Sequence, residues 1–168
     1  QTEKESDEKT AKLLQNELEE LSTYLGMTDV QGEGITIILT DNGGNELKNS
    51  DEKIVSVSSL DLLRVIRDLL SAGAEAISIN DQRIINMSDI VDINETFIKV
   101  NGQRILAPYV IKAIGNAQWL ESAMNIKNGV VDTLKGSTGI GISVVRSNNV
   151  EIPKFDGTLN FKYAETKK

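Results

Sequence analysis

Apolar residues change their spacing along the chain, and each change marks a new element. Between Thr10 and Leu25 the residues Ala11, Leu14, Leu18, Leu21 and Leu25 recur three and four apart, which predicts a helix with a heptad-like seam. Leu14, Leu18, Leu21 and Leu25 form a candidate self-association seam, although the same stripe would suit a helix packed on its own domain. Gly26 ends the run as a C′ glycine would. Gly34 to Thr40 is β-branched and largely apolar on both faces, which predicts a buried strand. Asp41 to Asp51, rich in Asn and Gly, reads as a loop. Ser58-Ser59 then offers an N-cap to a helix with Leu62, Leu63, Ile66, Leu69 and Leu70 on one face and Arg64, Arg67 and Asp68 on the other. Gly73 stops that helix, and Ala74 to Ile79 follows as a strand, completing a βαβ-like unit.

Further on, Asn101-Gly102 between the extended runs Thr96 to Val100 and Gln103 to Leu106 predicts a β-hairpin with a type I′ turn. Pro108 suits the first turn of a helix, with Tyr109, Val110, Ile111 and Ile114 able to face a core. Asn116 caps another helix with Trp119, Leu120, Ala123 and Met124 inward, and Val130, Val131 and Leu134 carry helical spacing to Gly136. Gly139 to Val145 predicts a strand with Ile140, Ile142 and Val144 on one side. Val150 to Phe155 and Thr158 to Ala164, joined by Asp156-Gly157, read as a second hairpin in which Leu159, Phe161 and Tyr163 alternate inward and Pro153 lies on an edge. The expected fold is therefore α+β, a ferredoxin-like βαββαβ core with extra hairpin strands, preceded by a coiled-coil-type helix. Its organisation is a helical arm over 1–28, an α/β head over 32–164 and a tail over 165–168.

Composition narrows the chemistry more than the fold. The 168 residues contain no cysteine and no histidine, which removes thiol nucleophiles, disulfides, imidazole bases and the usual soft metal ligands. Absence of cysteine also fits a location outside the cytoplasm. The net charge is −7, and residues 1–30 hold eight acids against three bases while the remainder is nearly balanced. No basic stripe is present for a phosphate backbone, so nucleic acid and anionic lipid are not expected partners.

Local motifs add little. Gly136 to Gly141 has the spacing G-x-x-G-x-G and precedes a strand, the reverse of a dinucleotide fingerprint, and reads as a helix cap and turn. Ser50-Asp51-Glu52-Lys53 matches S-x-x-K without its companion motifs. Asp89, Asp92, Asn94 and Glu95 could offer oxygen ligands but lack the glycine and terminal glutamate of a calcium loop, and solvated carboxylates are the expectation. Trp119, Tyr109, Phe97, Phe155, Phe161 and Tyr163 are expected in the core, since one Trp, three Tyr and three Phe are all the aromatics available. No cofactor, metal or catalytic residue is expected.

The run Ala72-Gly73-Ala74-Glu75-Ala76-Ile77-Ser78-Ile79-Asn80, followed by Gln82-Arg83, resembles the signature of a bacterial family, domain of unknown function 881. Val100-Asn101-Gly102, Pro108 to Gly115, Gly129 to Asp132, Gly139 to Ile142 and the leucine-bearing helix before Gly32-Glu33-Gly34 fall in that family's order. The resemblance covers residues 10–164. It implies a Gram-positive protein with one N-terminal membrane helix, a short coiled coil and an outward-facing head, labelled a division-initiation protein from its gene neighbourhood. The opening Gln1, with no initiator methionine, fits an anchor upstream. Expected partners are thus proteins of the cell envelope or division machinery, with a homo-oligomer through the arm. Two other classes stand beside this one: a small-molecule sensor binding a ligand between paired sheets, and a hydrolase using a carboxylate pair such as Asp61 and Asp132.

Overall fold

A computed structural model describes residues 2–41 and 55–168. The expected loop from Asp41 onward and the Ser50 to Lys53 motif lie almost wholly outside the described residues. Among those described, the chain is a mixed α+β fold with four helices and two antiparallel sheets.

The N-terminal helix α1 spans Thr2–Tyr24, eight residues longer at its start than the leucine spacing predicts, because the polar stretch before Thr10 continues it. Gly26 (φ +80) closes it through Gly26 N to Thr23 O and Met27 N to Ser22 O, the paired bonds of a Schellman end. Strand β1 (Val30–Thr40) follows, then α2 (Ser59–Ser71), capped by Ser58 in a reciprocal box with Asp61. Its buried stripe is Leu62, Val65, Ile66 and Leu69, so Leu63 and Leu70, expected inward, are exposed instead. Strands β2 (Ala76–Ile79) and β3 (Gln82–Arg83) come next. Then β4 (Ile90–Asp92), β5 (Ile98–Val100) and β6 (Gln103–Ile105) form a separate three-stranded sheet. Asn101 (φ 52) and Gly102 (φ +77) join β5 to β6 with the two positive φ angles that the Asn-Gly pair predicts.

Pro108 does not open a helix. Tyr109–Ile114 is strand β7, and it takes the middle of the large sheet, whose order is β3-β2-β7-β1 with one further strand, β8 (Gly141–Ile152), at the far edge. Residues 109, 111 and 113 point to the helical side, and β7 gains antiparallel ladders from β1 and β2 together. That double pairing outweighs a helical reading of the same apolar residues. Strands β1 and β2 each run antiparallel to β7 between them, and β7 and β8 likewise flank β1. The two crossovers, one through α2 and one through α3 (Ala117–Met124) and α4 (Val130–Thr138), therefore interleave.

The core lies where the helices meet one sheet face, around Ile35, Ile37, Leu39, Leu62, Leu69, Ile111, Leu120 and Met124. Asn116 caps α3 as expected, through its side-chain oxygen and Trp119 N. Trp119 itself is 67% exposed, because so short a helix buries only the stripe Ala117, Leu120 and Met124. Helix α4 runs past Gly136 and ends at Gly139, whose φ is +68. Of the aromatics expected in the core, Tyr109 alone is fully buried, while Phe161 and Tyr163 are exposed. No second hairpin forms: Val150 and Ile152 belong to β8, where they pair with Gly32 and Val30 across an irregularity between Gly32 and Gly34. There Val150 and Ile152 join Ala76, Ile114 and Val30 in a small cluster on the sheet's second face. Beyond Pro153 the chain leaves the ladder, and Phe155 N bonds to Gly26 O at 2.8 Å.

Candidate functional site: the helical arm and its root

None of the 23 residues of α1 is buried. The seam residues Leu14, Leu18, Leu21 and Leu25 lie on the surface at 61%, 67%, 59% and 56% exposure, with Leu13 exposed beside them. From Thr2 to Leu21 every residue of the helix is exposed, and only its last turn meets the head. A helix with this much uncovered leucine gains little from tertiary contact. Covering the four leucines would contribute roughly 1.5–3 kcal/mol each.

The root of the arm, in contrast, is tied down. Gly26 O accepts from Phe155 N, Asp29 Oδ1 accepts from Lys154 N at 2.8 Å, and Thr28 Oγ1 bonds Thr23 Oγ1 at 2.9 Å. Arg83, on the short strand β3, donates from Nη1 to the carbonyls of Thr28 (3.1 Å) and Pro153 (3.4 Å). Its own carbonyl accepts from Asn101 Nδ2 at 2.7 Å, so the hairpin turn, β3 and the arm's root form one connected chain of bonds. Burial lowers the Arg83 pKa below the usual arginine value, with the Asp29 carboxylate pulling the other way.

Between the end of α1, the start of β2, the Ile84 to Met87 turn and the C-terminal segment lies a cavity of about 610 Å3. Its wall is mostly apolar, including Leu25, Leu70, Ile77, Ile85 and Leu159, with Arg83 in it and Glu75 contributing an exposed carboxylate. One seam residue, Leu25, thus belongs to the cavity as well.

Residues 17–165 match the family described as "Bacterial protein of unknown function (DUF881)". The chain belongs to the DUF881 family. Among DUF881 relatives, UPF0749 protein YlxW of Bacillus subtilis (strain 168) is 31% identical over 80% of this chain and 57% of its own length. UPF0749 protein Rv1825 of Mycobacterium tuberculosis is 29% identical over 95% of this chain and 52% of its own length. The chain thus spans about half the length of these relatives. A crystal structure of an uncharacterized conserved protein from Mycobacterium tuberculosis superposes with a TM-score of 0.72 at 28% identity, covering 90% of this chain and 99% of that one.

In this DUF881 head the carboxylates singled out by sequence serve local structure. Asp61 accepts from Ser58 N and Asp132 from Asn128 N, so each caps the start of its own helix. Asp92 takes both the backbone N (2.7 Å) and Oγ (2.8 Å) of Ser59, anchoring the N-terminus of α2. Asp89 faces Lys99 at 3.8 Å, and Asn94 accepts from Thr96 N and Phe97 N. Among the described residues no group of three or more acidic side chains is placed to hold a metal ion. Arg83 is the residue that sequence reasoning passed over. Its one local sign was a basic residue between the Asn80-Asp81 turn and the apolar pair Ile84-Ile85.

Proposed function

We propose that this DUF881 chain is the outward-facing interaction module of a membrane-anchored bacterial protein, acting by binding rather than by catalysis. Its arm joins copies through Leu14, Leu18, Leu21 and Leu25, and its head meets protein partners of the cell envelope or division machinery. The observation that carries this reading is the bare leucine seam on a helix with no buried residue, rooted in the head by Arg83 and Phe155. We read the sheet order β2-β7-β1-β8 as a ferredoxin-like core whose extra strands, β3 and the β4-β5-β6 sheet, brace that root. Among the described residues no helix is long and apolar enough to cross a membrane, so the anchor belongs to a segment other than these.

Eight acids in the first 30 residues oppose a parallel pairing of arms, and salt screens that repulsion. Self-association of the isolated chain is therefore weak and strengthened by salt, and an anchor that aligns and concentrates the arms tightens it. Sedimentation equilibrium in low and high salt tests the arm, with Leu18→Asp as the control. A chain that stays monomeric at high concentration in every salt would sink the reading. In-cell crosslinking of the anchored protein, followed by identification of the captured proteins, tests the head.

A further inference from the structure

Arg83 is 4% exposed, yet among the described residues no carboxylate lies within ion-pairing distance of its guanidinium. Nη1 donates to two carbonyls, whereas Nε and Nη2 have no acceptor among the described residues. Nε lies beside Gly26, where an added Cβ would stand 3.5 Å from it, and both residues line the 610 Å3 cavity. Asp29 offsets the Arg83 charge only from beyond ion-pairing distance, and the Nε/Nη2 edge, not among the buried unpaired atoms of the described residues, stays open to match two oxygens of a carboxylate or phosphate. Burial lowers the Arg83 pKa although the Asp29 carboxylate raises it, so the desolvation is relieved only in part. The cavity's size falls within the roughly 300–1,000 Å3 of small-molecule sites. Beyond Arg83 its wall is largely hydrocarbon: Leu25, Leu70, Ile77, Ile85 and Leu159. Glu75, in contact with solvent, is the one carboxylate in the lining and would turn an anionic head away from its own side.

We propose that this cavity binds a single-chain amphiphile whose carboxylate or phosphate head meets Arg83 and whose hydrocarbon tail lies along Leu25, Leu70, Ile77, Ile85 and Leu159. The site shares Leu25 with the seam and sits at the arm's root, where a free fatty acid or a single-chain membrane lipid could each supply the head and tail.

Titration calorimetry of the intact chain with dodecanoate, dodecyl phosphate and dodecanol, all below micelle formation, separates head from tail. We expect the two anions to bind at least about tenfold more tightly than the alcohol. Arg83→Gln should erase that ratio, and Leu159→Trp, which narrows the cavity and leaves the Arg83 clamp intact, should weaken all three. If Arg83→Gln does not fold, the Arg83 Nε–H resonance of the unmodified chain replaces it, and a shift with dodecanoate but not with dodecanol is the expected result. Vesicles carrying lysophosphatidylglycerol, a single-chain anionic lipid, that compete with dodecanoate assign the ligand to the membrane; vesicles without effect assign it to a free acid. Equal affinity for acid and alcohol, or an unmoved Arg83 resonance, overturns the proposal. So does a Leu159→Trp variant that alters the oligomeric state and leaves dodecanoate binding unchanged, which would make the cavity a contact between copies.

Discussion

Arg83 Nη1 donates to the carbonyl oxygen of Thr28 at 3.1 Å, across 55 positions of sequence. The bond joins a two-residue strand to the segment that carries the arm, and the same nitrogen reaches Pro153 O after the last strand. Arg83→Ala would leave both carbonyls without this donor and open a void among Thr28, Pro153 and Gly26. We expect a loss of about 2–4 kcal/mol in urea unfolding. A change within about 0.5 kcal/mol would mean that the clamp is idle.

Ile66 lies in the centre of the buried stripe of α2. Ile66→Asp places a carboxylate without a partner in the core, at a cost of several kcal/mol, comparable to the whole stability of a small domain. The head should unfold, as read by lost chemical-shift dispersion. An unchanged melting temperature would refute the packing of α2 on the sheet.

Gly102 has φ +77 and nothing within 4 Å of where a Cβ would stand. Gly102→Val is therefore free of clash, and its cost is backbone strain alone, at least about 1 kcal/mol for a β-branched residue in the left-handed region. Gly102→Asn should recover most of that loss, since Asn tolerates this region. If both variants melt like the parent chain, the turn is not the strained I′ type.

Burial, with Asp41 and Asp92 adding to it, pushes the Tyr109 hydroxyl up to about 12. The folded state thus holds its proton above the ordinary value near ~10. The resulting stabilisation is complete below about pH 10 and is lost as the pH rises through about 12. We expect the parent chain to lose roughly 2–3 kcal/mol more than Tyr109→Phe over that window, the lysines titrating alike in both. Parallel pH profiles for the two proteins would show that Tyr109 ionises as freely as an exposed tyrosine.

Leu18 is 67% exposed on a helix with no buried residue. Leu18→Asp should leave the head's melting temperature unchanged under conditions in which the chain is monomeric. A drop of several degrees there would reveal contact between arm and head.

The helix that carries the leucine repeat, β1, α2 with its Ser58 cap, the Asn101-Gly102 turn and the Asn116 cap were legible in the sequence. Each depends on neighbours a few residues away: a repeat of three and four, a hydroxyl or amide at a helix start, two residues that accept positive φ. Tyr109 to Ile114 was not legible, because its apolar residues after Pro108 suit either periodicity, and only the slot between β1 and β2 makes it a strand. Nor was the end of β8, where Val150 and Ile152 pair with residues far earlier in the chain, leaving Leu159, Phe161 and Tyr163 without the strand their alternation suggests. Trp119 resembled core by composition, but a stripe on so short a helix has room for only three side chains. The burial of Arg83 had no local sign strong enough to read, since the carbonyls that hold it belong to Thr28 and Pro153. Caps, turns and the helical repeat of leucines are local and follow from the sequence alone. Ladder partners, the freedom of the arm and the cavity at its root are set by which distant segments meet, and only the tertiary structure decides that.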